Sequence, residues 1–220
     1  LETIAVALSC SETDAGLIAY AGLLARLSGA REVRFVHVQK PGSPAESSAA
    51  ALRAQMRSKV AAHFTHTAHT ECDVLEGPLT DRLLDYSTEL DADIIGLGGR
   101  RRALGARLAM LAECSVAVIP DNAPATLTHM LVALDFSPAA NHTLEWGTSL
   151  IAGESGVVCT ALHVMTHESA DIFTESDAEM QSGQAEAMRK LLARTDRNGV
   201  AVEALLAEVQ TSQDVGRRHR

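Results

Sequence analysis

The chain has 220 residues and a formal net charge of −9, with 46% hydrophobic, 21% charged and only 3% aromatic residues. That length suits one large or two modest domains, with cores built mainly from Ala, Val, Leu and Ile. The acidic balance argues against general nucleic-acid binding, which needs concentrated Lys and Arg on phosphates, and no stretch approaches the ~20 apolar residues of a membrane span.

In chain order, the apolar run Thr3–Leu8 predicts a buried strand, and Ser-Cys-Ser-Glu-Thr-Asp after it a loop rich in helix caps. Ala15–Leu27 has helical composition and ends at Ser28-Gly29. Glu32–Val38 reads as a strand, Pro41–Pro44 as a loop, residues 45–66 as an Ala-rich helix and Glu71–Leu75 as a third strand. A helix at Leu79–Leu90, a strand at Asp93–Leu97, a short helix at Leu104–Ala112 and a strand at Ser115–Ile119 follow. Strands alternating with helices imply right-handed crossovers and a parallel sheet covered on both faces.

Pro120–Thr128, with two prolines, is the expected linker. Beyond it, Met130–Leu134 predicts a strand, Pro138–Ile151 a helix with proline in its first turn, and Val157–Val164 a strand. A loop at Thr166–Ser176, a helix at Asp177–Thr195 and a strand at Val200–Leu206 complete the pattern. The domains are therefore expected at residues 1–122 and 129–220. The second lacks counterparts of the last two strands of the first. Its three-stranded sheet would have an uncovered edge, to be completed by further chain or by a partner.

The halves repeat. Residues 4–38 align without a gap on residues 130–164, and Val6, Ala7, Leu8, Ser11, Leu24, His37 and Val38 recur as Val132, Ala133, Leu134, Ser137, Leu150, His163 and Val164. The opening strands with their loops (IAVALSCSE, MLVALDFSP), the twofold His-Val, the segment DVLEGPLTDRLLDYSTELDADIIGLGGR and the closing AECSVAVIP resemble a tandem universal stress protein. The resemblance implies a doubly wound α/β fold of the Rossmann-like, adenine nucleotide alpha-hydrolase-like type. Its sheets have five parallel strands, with two tandem copies and the second incomplete.

Members of that family that bind ATP set an Asp at the end of the first strand against the nucleoside. They wrap the phosphates with a G-x-x-G-x9-G-[ST] loop after the fourth strand. Glycine is needed there because backbone N–H groups must reach phosphate oxygens with no Cβ in the way. The resemblance places the crevice between the first and fourth strands. In the first copy Gly96 and Gly99 satisfy G-x-x-G, but Ala109 stands where the third glycine should be. The nearest glycine is Gly105, and the carboxylate position is Ser9. In the second copy Asp135 occupies the carboxylate position without a phosphate loop. Asp135 reads either as a nucleoside contact or as a loop residue capping the next helix.

The candidate nucleotide or anion contacts are Asp135, Val38, Gly96, Gly99, Gly105, Arg100 and Arg101. With Arg102, the last two could clamp a phosphate or simply stand in solvent. His63, His66, His69 and Cys72 fall every third residue, but in a continuing helix such steps do not converge on one metal ion. Interaction of histidines with a helix C-terminus is the alternative. His37 and His163 read as structural histidines and Cys10 as a small buried filler rather than an oxidant sensor. The four cysteines form no C-x-x-C, which fits a reduced cytoplasmic setting. The expected function is non-enzymatic: a tandem stress-response protein with a degenerate nucleotide site and no cofactor, acting through protein association as a homo-oligomer or with a protein partner. A sensor of ATP or AMP, or a weak ATPase, is the alternative.

Overall fold

The apolar run at the N-terminus becomes β1 (Thr3–Ala7), buried from Ile4 to Ala7 because strands pair on both its sides. The computed structural model describes residues 1–42, 48–167 and 177–210, and the chain divides into two compact units, Leu1–Thr126 and Leu127–Arg220. In the first, α1 (Asp14–Ser28), β2 (Glu32–Gln39), α2 (Ala49–His63), β3 (His69–Glu76), α3 (Leu79–Glu89), β4 (Ile94–Gly98), α4 (Arg102–Leu111) and β5 (Ser115–Ile119) follow β1. All five strands are parallel, in the order β3-β2-β1-β4-β5. The order reverses between β1 and β4, and their C-terminal ends open a crevice there.

Side chains of a strand alternate between faces. Ala5, Ala7, Val36, Ile95 and Leu97 pack under Leu83 and Tyr86 of α3 and Leu108 of α4. Ile4, Val6 and Phe35 have the opposite parity and are also buried, on the face that α1 and α2 cover. Both sides of this sheet are therefore core.

The second unit contains β6 (His129–Ala133), α5 (Ala140–Ile151), β7 (Val158–His167), α6 (Asp177–Arg194) and β8 (Val202–Gln210). Its described strands form one parallel sheet in the order β6-β7-β8. Each β1–β2 partner pair recurs between β6 and β7, from Thr3↔Glu32 and His129↔Val158 to Ala7↔Val36 and Ala133↔Leu162. Val132, Leu134, Cys159 and Ala161 pack against Leu144 and Ile151 of α5 and Met188 and Leu191 of α6. Both crossovers run in the same direction across the sheet, so both helices lie on this one face.

Three sequence expectations need correction. The second helix ends at His63, because Phe64 turns extended (φ −90°, ψ 115°) and sets its ring edge-on to Phe35 with centroids 5.7 Å apart. His66 therefore lies outside that helix, and His69 and Cys72 lie on β3. Pro138 precedes α5 rather than opening it: the Ala140 N–H donates to the Ser137 carbonyl (3.0 Å) in a turn that spans the proline. The last strand starts at Val202, after a turn through Asn198 and Gly199 with φ of 51° and 76°. Residues 45–47 of the expected second helix, most of the loop at 166–176 and the basic cluster Arg217–Arg220 lie outside the described residues. Among the described residues no helix is long and apolar enough to cross a membrane.

Candidate functional site

The first-unit crevice is built by the loop after β1, the start of α1, the turn after β4 and the loop after β5. Cys10 takes a left-handed conformation (φ 59°) that turns the chain sharply off β1. The turn brings the Ser9 and Ser11 amides toward the helix start, where Asp14 folds back onto them. Asp14 Oδ1 accepts from the Ser9 N–H (3.0 Å) and Ser9 Oγ (2.8 Å), and Oδ2 accepts from the Ser11 N–H (3.0 Å). The Oγ atoms of Ser9 and Ser11 are 2.7 Å apart, and Ser11 Oγ lies 2.8 Å from Thr13 Oγ1. Asp14 is only 2% exposed. A carboxylate of the chain itself thus holds the amides and the positive helix end that would otherwise attract an anion.

On the opposite wall a 3-10 turn, Gly99–Arg101, leads from β4 into α4. Arg100 Nε donates to the Asp121 carboxylate across the mouth. The backbone of Asp121 also crosses the start of α1: a Cβ on Gly16 would lie 2.9 Å from the Asp121 carbonyl oxygen, so only glycine fits there. What remains is a cavity of about 210 Å³ lined by Ser9, Ser11, Asp14, Arg100, Arg101 and Asp121. Small-molecule pockets usually measure ~300–1,000 Å³.

Of the first-unit residues singled out from sequence, the crevice gathers Arg100 and Arg101. Gly99 is held by packing, since a Cβ would lie 2.9 Å from Pro120 Cα, and Gly105 sits on α4 where a Cβ would meet Val118 Cγ2 at 2.5 Å. Gly96 lies mid-strand on β4, and Val38 packs at the edge of the α3–α4 core. Ala109 lies within α4, which begins where a longer phosphate loop would run. Asp14, Gly16 and Asp121 were missed from sequence. Asp14 reads there as one of several helix caps, and nothing local links Gly16 with Asp121.

The second unit repeats the loop with different chemistry. Phe136, like Cys10, has φ 59°. Asp135 Oδ1 accepts from the Ser137 N–H (2.9 Å), closing a turn rather than capping α5. Hydrogen bonds from Ser137, with His163 nearby, hold the Asp135 carboxyl below the usual carboxylate range. Asp135 is exposed beside an open cavity of about 410 Å³ that Ser137, Thr143, His163 and Val164 also line.

The paired histidines have the same partner in both units. His37 Nδ1 donates to the Leu8 carbonyl (3.0 Å) and His163 Nδ1 to the Leu134 carbonyl (2.8 Å), each tying the second strand to the end of the first. Burial, then the charge of Asp14, pushes the Cys10 thiol up to about 11, which keeps it protonated and unreactive at neutral pH. Among the described residues no group of three or more His, Cys, Asp or Glu is placed to hold a metal ion.

Residues 126–218 match the model of the universal stress protein family. No curated protein sequence matches the chain. Among solved structures, a universal stress protein from Archaeoglobus fulgidus DSM 4304 is similar over 94% of this chain and 78% of its own, with a TM-score of 0.63 and 15% identity. At that identity the likeness is one of fold. A universal stress protein in complex with cAMP is 19% identical, with a TM-score of 0.43 over 54% of this chain and 96% of its own. A universal stress protein from Archaeoglobus fulgidus in complex with dAMP is 22% identical, with a TM-score of 0.41 over 54% of this chain and 98% of its own.

Proposed function

We propose, from the match of residues 126–218 to the model of the universal stress protein family, that this chain is a tandem stress-response protein that works through protein association and does not depend on bound nucleotide. The observation that carries this reading is Asp14: its buried carboxylate takes up the amides of the first-unit crevice, and the Asp121 loop narrows what is left. A triphosphate would meet two carboxylates in a cavity too small for it. In this reading the protein catalyses nothing. It works in the cytoplasm, a setting supported by four free thiols.

Association is supported by the second unit, whose β6 has no strand paired on its outer side among the described residues. Such an edge favours pairing with another chain. Isothermal titration of the 220-residue protein with ATP and magnesium is expected to give no saturable heat. Binding at micromolar ATP would overturn the nucleotide-free reading.

A second reading, a sensor of adenine nucleotides, is favoured by the open cavity at Asp135, His163 and Val164. It calls for a nucleotide absorbance carried through purification and lost in Asp135→Asn. A protein that purifies without that absorbance, and takes up no AMP, removes it.

A further inference from the structure

β3 is an edge strand of the first sheet, with β2 between it and the strands that open the crevice. Between β3 and α2 lies a cavity of about 750 Å³, larger than either crevice and within the ~300–1,000 Å³ usual for small-molecule pockets. Its walls come entirely from residues 53–73. In a parallel ladder every second residue turns both of its backbone groups to the same neighbour. The His69 and Gly77 N–H groups donate to the Arg31 and Gln39 carbonyls of the β2 side (2.8 and 3.1 Å), so the intervening Thr70 and Cys72 turn theirs off the edge of the sheet.

Two arginines of α2 stand over this edge. Arg53 Nε donates to the Cys72 carbonyl (3.1 Å), which fixes the guanidinium beside the strand. Arg57, one helical turn further on, lines the same cavity. Burial pushes the Cys72 thiol up, and the strongest opposing influence is the charge of Arg57, which sets that guanidinium close to the strand as well. Like charges one turn apart on a helix repel, yet among the described residues no carboxylate pairs with either arginine. The acids of the lining are engaged elsewhere: Glu71 with Arg34 and His69, and Asp73 with Arg34 and the Tyr86 hydroxyl. In a chain of net charge −9, two uncompensated arginines in a concavity make a local centre of positive potential.

His66 adds a donor. Its Nδ1 accepts from the Ala68 N–H (3.1 Å), so the ring proton sits on Nε2. The rest of the wall includes Val60, Phe64 and Ala68, an apolar surface next to the cationic one.

We propose that this cavity binds a small organic anion, with its carboxylate or phosphate group on Arg53 and Arg57 and its apolar body against Val60 and Phe64. The guanidinium forks match the paired oxygens of such a group, and the outward Cys72 N–H is a further donor beside Arg53. The bound anion relieves the repulsion between the two arginines. This site lies apart from the crevice between β1 and β4, so it stands whether or not nucleotide binds there.

Amide NMR of the isotopically labelled 220-residue protein tests this, with phenyl phosphate, 3-phenylpropionate and inorganic phosphate each titrated to ~10 mM. The expected result is a saturable shift of the Thr70 and Cys72 amides with an aromatic acid, the tighter of the two identifying the acid group. Inorganic phosphate should bind at least fivefold more weakly than that probe, because it leaves the apolar wall uncovered. Arg57→Gln, at an exposed position, should weaken binding at least fivefold, and Arg107→Gln, an exposed arginine of α4, should leave it unchanged. The spectrum of each variant without probe reports its fold. The absence of saturable shifts with all three probes overturns the proposal. So does binding that ignores Arg57→Gln, that inorganic phosphate matches, or whose shifts fall at Ser9, Ser11 and Gly99 instead of β3. The ATP titration judges the functional reading separately.

Discussion

In the first unit the Ser11 amide is held by Asp14, a helix residue 2% exposed; in the second the equivalent Ser137 amide is held by Asp135, an exposed residue at the strand end. The backbone is the same, down to a left-handed residue at Cys10 and Phe136. The carboxylate has changed position, and with it the character of the site. One crevice is satisfied from within and crossed by the Asp121 loop, while the other stands open beside Asp135. Gly16 marks the same contrast. Its counterpart by alignment is His142, an exposed residue, because no described loop crosses α5 as Asp121 crosses α1.

The largest test of this comparison concerns the cores. Ile18 and Leu144 are equivalent and fully buried, so alanine at either should cost about 3 kcal/mol. Because the first sheet is covered on both faces and, among the described residues, the second on one, Leu144→Ala should unfold its unit while Ile18→Ala leaves β1–β5 formed. Hydrogen exchange in urea, resolved to β1–β3 and β6–β8, checks this. Equal loss of protection in both units from either substitution breaks the contrast.

Next comes Asp14→Ala, which strips charge-assisted bonds from two amides and a hydroxyl and should cost roughly 2 kcal/mol. Asp135→Ala, at an exposed turn, should leave the melting temperature nearly unchanged. Similar shifts in the two melts would show that Asp14 is not what closes the first crevice.

Gly16→Ala should cost about 1–2 kcal/mol, because the Asp121 backbone must move away from the new methyl. His142→Ala should cost nothing measurable in the same urea titration.

The smallest effect is chemical. With its thiol pushed up to about 11, Cys10 should alkylate on the order of 100-fold more slowly at pH 8 than a free thiol. The folded state favours the protonated thiol, so this stabilisation is full below the free-thiol value and fades as pH rises through about 11. Removing the Asp14 carboxylate should speed the alkylation. A rate that is already fast in the unmodified protein would contradict the half-buried setting of this thiol.

Much of this was legible in residue order. Alternating apolar runs and helical segments located the described elements to within a few residues, because the period of a strand or a helix is a local property. The 126-residue offset brought out the matching His37 and His163, and it set Ser9 opposite Asp135. The stop at Phe64 was not legible, since its ring is set against Phe35 across the fold.

The sequence by itself determined the α/β class and the repeat between the halves. Only the tertiary structure decided that Asp14 holds the Ser9 and Ser11 amides, that Gly16 is fixed by the Asp121 carbonyl, and that Leu131, Val158, Val164 and Leu205 lie on one side of their sheet, opposite α5 and α6. Which atoms meet depends on how strands register and how loops cross, and those are contacts between residues far apart in the chain.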